Sequence, residues 1–179
     1  PHDDLDERDL FNIEKRWYYM VFLHALTRYL DLKRSFGEED ANFDYARQSL
    51  LLYVRWAASN EYPYLDKPEV LEFPTETWAA QEMRKSEVFD RASIYASTTE
   101  RGIFRERAEF FFETSLAQLS ASSTAHFTRP TALLLTFGSI RQWFDANGQQ
   151  LPTLASNEQE YEHPAPAVFV SQREIVLSR

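Results

Sequence analysis

Cysteine is absent from the 179 residues. That removes disulfides, thiolate nucleophiles and cysteine-ligated zinc. It leaves the compartment open, because a cysteine-free chain suits a bacterial cytoplasmic protein and an exported one equally. Glycine occurs only four times, too rarely for a phosphate-cradling glycine-rich loop, and there is no Gly-x-Ser-x-Gly nucleophile turn. His2, His24, His126 and His163 lack metal-ligand spacing, and no His-Glu-x-x-His pair exists. No metal or other cofactor is expected. Positive charge is also scarce: 19 Lys and Arg against 28 Asp and Glu leave a net charge of −9. That balance argues against a nucleic-acid partner, whose phosphates need clustered cations, and against docking on anionic lipid. No apolar run approaches the ~20 residues of a membrane span, so membrane insertion is not expected.

What the chain does have is aromatic surface, at 15% of residues. Most of it is needed for a core, but aromatic rings also stack on flat ligands and sugars. The length suits one domain with a sizeable core. The chain starts at Pro1 and enters an acidic, linker-like stretch, Pro-His-Asp-Asp-Leu-Asp-Glu-Arg-Asp, as expected of a processed or truncated piece of something longer.

Periodicity predicts about five main helices over 1–145, then an irregular tail over 146–179 with two β-prone runs between Ala167 and Ser178. The first helix, about 11–33, is apolar on nearly every side and is expected to be buried by neighbours on both sides. His24 within it reads as a core histidine or a catalytic one. The second, about 42–59, is amphipathic, and Gly37 marks the break before it. The third, about 75–97, opens on Thr75 as N-cap with Glu76 in its first turn. Its main stripe is polar at Gln81 and Lys85 and apolar from Val88 onward. That pattern means either a wet pocket at the N-terminal end or first turns that protrude into solvent. A turn over Thr98–Gly102 is expected before the fourth helix, which ends near Ser120. The fifth starts around Pro130 and is again apolar all round. Gly138 in it, costing about 1 kcal/mol relative to Ala, marks an expected close helix–helix approach.

Two segments share a pattern. Ala92-Ser93-Ile94-Tyr95-Ala96, then a turn and Phe104-Arg105-Glu106-Arg107-Ala108-Glu109-Phe110-Phe111, parallel the first helix pair at a spacing of about sixty residues. These hairpins resemble those of the six-hairpin (α/α)6-toroid glycosidases and polysaccharide lyases, over about 11–145. The resemblance implies an all-α, antiparallel α/α hairpin array, here a partial toroid, since five helices are under half of a complete one. It also implies a glycan-facing rim where loops enter inner helices, namely 60–75 and 120–129, with an oligo- or polysaccharide as partner. Glycoside hydrolysis uses two carboxyls. Glu61, Asp66, Glu69, Glu72 and Glu76 are the choices on that rim, with Glu76 foremost and Glu61 and His126 as further catalytic candidates. Tyr62, Tyr64 and Trp78 would stack on sugars. Gln81, Arg84, Lys85 and Arg129 would bind substrate or, in a lyase, neutralise an acid group. The alternative is a non-catalytic helical domain that binds a protein, another copy of itself or the remainder of a longer chain through exposed aromatics.

Overall fold

The computed structural model describes residues 2–147, and these residues are all-α, with no strand among them. The β-prone runs expected between Ala167 and Ser178 lie outside the described residues. A short α1 (Ile13–Arg16) leads into α2 (Tyr19–Ser35), followed by α3 (Ala41–Asn60). Two single turns, Tyr64–Asp66 and Pro68–Val70, occupy the connection to α4 (Glu76–Tyr95). After it come α5 (Thr98–Ala121), α6 (Thr128–Leu133) and α7 (Ser139–Asn147), the last two joined by a π-helical stretch, Leu134–Gly138.

Local chemistry sets the ends. Gly37, at φ 70°, closes α2: its N–H donates to Arg34 O at 3.0 Å and that of Glu38 to Lys33 O at 2.9 Å. Only a left-handed residue allows that double bond. Asp40 then caps α3, its Oδ1 accepting from Phe43 N–H at 3.0 Å. Thr75 precedes α4 without a side-chain cap bond. The expected turn over Thr98–Gly102 is instead helix. Ser97 and Glu100 form a reciprocal capping box that starts α5 at Thr98, and the cap outweighs one glycine. Gly138 does not mark a close approach either. A methyl group there would meet Met83 Sδ at an ordinary 3.7 Å.

The helices pack as hairpins, α2 with α3 and α4 with α5, and α4 touches every other long helix. Burial therefore runs opposite to the expected order. The third helix, expected to be mixed, is the centre: 16 of its 20 residues are buried. The first and last helices, expected to be enclosed, each keep an open side. Phe22 and Leu32 of α2 are 48% and 56% exposed, and Leu135 at the α6 end is 74% exposed. The reason is that charged residues on α4 are buried as ion pairs, which apolar periodicity cannot count. Phe89 is the hub of the apolar part, stacked on Phe111 with centroids 5.8 Å apart and tilted against Phe104 at 6.1 Å. Phe89→Ala is expected to cost about 3–5 kcal/mol in urea unfolding. Leu135→Ala should stay within about 0.5 kcal/mol.

Candidate functional site

Two features stand out once the packing is followed residue by residue: the rim at the N-terminal end of α4, and the outward arc of α2.

At the rim the 60–75 loop meets the helices that flank 120–129. Leu65 packs against the cluster that holds Leu119 of α5 and Leu133 of α6, and Gln118 Nε2 of α5 donates to Asp66 Oδ1 at 3.4 Å. Much of the expected site, however, is sealed. Lys85 has no exposed surface, and its Nζ lies 2.8 Å from Glu61 Oε2, 3.0 Å from Glu82 Oε2 and 2.6 Å from Tyr62 O. It also sits over the Tyr64 ring, 3.4 Å from the centroid. Glu61 is fixed from its other side by Tyr19 OH at 2.6 Å, while Arg107 donates to its carbonyl at 2.5 Å. Tyr64 is 2% exposed and offers no open face to a sugar. Glu61, Tyr64 and Lys85 thus act as clamps that hold the 60–75 loop to α4, rather than as ligand contacts.

The remaining candidates stay nearer to water. Glu76, Tyr62 and Trp78 are half-buried, while His126 and Arg129 are exposed. Trp78 donates its indole N–H to Phe73 O at 3.0 Å, and Lys67 covers Tyr62 at 4.0 Å. Gln81 is 5% exposed, and its Oε1 has no partner among the described residues; the same holds for Arg84 Nη1. The Arg84 guanidinium lies over Phe137 at 5.0 Å and Trp17 at 5.6 Å. Burial chiefly, and the like charge of Arg129 in addition, lower its pKa.

Sequence reasoning missed Glu82, Glu87, Asp90 and Arg91, all buried on α4. The signal available was their spacing. Glu82 with Lys85, and Glu87 with Arg91, stand three and four apart, where helix side chains meet. Burial pushes the Glu82 carboxyl up to about 7 against the pull of Lys85. Burial likewise raises Asp90 to about 7 although Arg141 binds it at 2.9 Å. For Glu87 burial also raises the pKa, but His24 and Arg91 outweigh it and hold the carboxyl below its usual range.

The second feature is α2 itself. His24 Nδ1 and Arg28 Nη2 each approach Glu87 at 3.3 Å, and Asp31 binds Arg91 and Tyr95, the latter at 2.6 Å. His24 is therefore a packed histidine, edge-on to Phe137 at 5.2 Å. With His24, Arg28 and Asp31 bound to α4, the helix shows water a run of apolar side chains: Tyr18, Val21, Phe22, Ala25, Tyr29, Leu32 and Phe36 are all exposed. At the N-terminal end of this arc lies a cleft of about 230 Å³, lined by Arg8, Arg16, Tyr18, Tyr19, Phe22 and Tyr53. Among the described residues no group of three His, Asp or Glu is placed to hold a metal, and no helix is long and apolar enough to cross a membrane.

The clamp at Lys85 is open to test. Lys85→Met strands two buried carboxylates and is expected to cost about 3–5 kcal/mol in urea unfolding, whereas Glu82→Gln keeps an acceptor for Tyr64 N–H and should cost under about 1.5 kcal/mol. The folded pKa of Glu82 lies above its ordinary value of 4.5, at about 7. The folded state therefore keeps that proton to higher pH than the unfolded state does. Stability from this group is full at low pH and is lost as pH rises from about 4.5 to about 7. The urea midpoint should rise on acidification across that window, and rise less in Glu82→Gln.

Compared with protein-family models, curated proteins and solved structures, the chain matches no family model, no curated protein and no solved structure.

Proposed function

We propose that this chain is an α-helical association domain that docks another helix along the outward arc of α2. One observation carries the proposal: Tyr19, Met20, Leu23 and Leu30 of α2 are buried and His24, Arg28 and Asp31 bind α4, yet a second apolar stripe on the helix faces water. A surface helix ordinarily has one apolar stripe and a polar opposite face. Seven exposed apolar residues within nineteen positions form a contiguous stripe of the kind that marks an interaction site, not the scattered apolar residues of an ordinary surface. Their spacing suits a partner helix, which presents anchors at i, i+3, i+4 and i+7. The test is the double variant Phe22→Glu/Tyr29→Glu. At a dilution where the protein is monomeric it should lower uptake of the apolar dye bis-ANS by the native protein several-fold, with the thermal midpoint within a few degrees of the parent. A midpoint lowered by more than about 10 °C would assign both rings to the fold instead.

A second reading, binding of an acidic glycan at the rim, is favoured by a different observation. Gln81 Oε1 is a buried acceptor and Arg84 Nη1 a buried donor, one helical turn apart and without protein partners among the described residues. Arg84 also has Arg129 near enough to perturb it. Such a pair suits a sugar hydroxyl beside a uronate carboxylate, with Glu76 and His126 as the accessible acid–base groups. Calorimetric titration with an oligogalacturonate should give binding that Arg84→Met abolishes and Glu76→Gln retains. Absence of heat with both the uronate and a neutral oligosaccharide would end this reading.

A further inference from the structure

The arc of α2 has an internal order that says which helix it fits. Tyr18, Phe22, Ala25, Tyr29, Leu32 and Phe36 alternate spacings of four and three, the seam of a two-helix coiled coil. Both ends are helical: the backbone of Tyr18 and of Phe36 lies in the right-handed region. The stripe is also palindromic. A two-fold axis at Thr27 sets Tyr18 against Phe36, Phe22 against Leu32, and Ala25 against Tyr29, so a small residue faces a large one at the middle.

We infer that the helix docked on α2 is α2 of a second copy of this chain, antiparallel and related by that two-fold axis. The inference rests on the reading of α2 as a docking face and adds its occupant. Three observations select a second copy. First, Phe36 is the most exposed aromatic of the arc, at 71%. The axis carries it to Tyr18 of the other copy, beside the cleft that Tyr18, Phe22 and Arg16 help to line. Symmetry makes this knob-and-hole contact twice.

Second, the ends do not oppose an antiparallel pair. Glu38 and Glu39, beyond Gly37, are held by Lys33 and Arg34 of their own chain at 2.9 and 3.5 Å, and opposed helix dipoles favour this orientation. Near the axis the two Arg28 side chains approach each other, each already held by its own Glu87 at 3.3 Å.

Third, the area suffices. The six large side chains of the arc are 39–71% exposed, which leaves on the order of 600 Å² per copy to bury. Two copies reach about 1,200 Å² before the flanking charges are added, the lower bound for a specific interface.

The experiment uses the full chain, whose lack of cysteine allows one spin label at exposed Ser35. Sedimentation equilibrium should show a dimer that Phe22→Glu/Tyr29→Glu converts to a folded monomer. In the dimer of Ser35→Cys, nitroxides should lie on the order of 25 Å apart, against about 10 Å for a parallel pair. The short distance, or a dimer untouched by the double variant, overturns the inference. So does a monomeric parent; if its α2 still takes up dye, the docking face stands with a different partner. A monomer without dye uptake means another part of the chain covers α2, and overturns both.

Discussion

A helix enclosed on all sides must find partners for every charge it carries, and α4 carries five of them without exposed surface to spare. Glu82, Lys85, Glu87, Asp90 and Arg91 are each at most 7% exposed. Desolvating such groups costs several kcal/mol apiece unless an opposite charge and hydrogen bonds replace water. Each partner is recruited from a different part of the chain. Glu61 and the Tyr62–Tyr64 backbone come from the loop before α4, while His24, Arg28 and Asp31 come from α2. Arg141 comes from α7. Apolar contact alone tolerates small rotations and slips; an ion pair at 2.8 Å does not. The buried charges therefore set the register of the helices around α4, while the Phe89 cluster supplies most of the favourable burial.

That constraint explains which parts of the fold were legible in the residues. Helix existence was, because propensity and period act locally: all five expected helices form, within a few residues of their expected ends. Their depth was not. Counting apolar positions makes the first helix look enclosed and the third half-wet, since Tyr18, Phe22 and Leu32 score as core and Glu87 and Arg91 as surface. Which of two equally apolar faces is covered depends on partners distant in sequence. Glu87 draws His24 from sixty-three positions away, a separation no window reaches. The turn expected over Thr98–Gly102 is overturned for a different reason: one glycine costs a helix about 1 kcal/mol, and the Ser97–Glu100 capping box offsets it.

The rim divides along the same line. That the 60–75 and 120–129 segments share one end of the fold is the expectation from alternation of hairpins; the 60–75 loop packs on α5 and α6, the helices either side of 120–129. The chemistry attached to single residues was less readable, because a tyrosine or lysine in a loop before a helix has the same letters whether it faces a ligand or plugs the helix end. Tyr64 and Lys85 are plugs. Gln81 and Arg84, one turn apart on the same helix, retain an acceptor and a donor without partners among the described residues.

The exposure on α2 is a consequence of the α4 charges rather than an accident beside them. In the middle turns of α2, His24, Arg28 and Asp31 go to Glu87, Arg91 or Tyr95, while Thr27 binds the His24 carbonyl of its own helix, and a helix has one inward face. Positions 18, 22, 25, 29, 32 and 36 form one stripe on the outside, and apolar residues fill every one of them. A chain with 26% charged residues has ample polar alternatives for six surface positions, and a polar outer stripe would leave the ion pairs to α4 untouched. The large apolar residues there leave 39–71% of their surface in water, which is a liability. Covering them removes that liability. A cover that matches a spacing of four and three and places small against large is, as proposed, another helix of the same pattern.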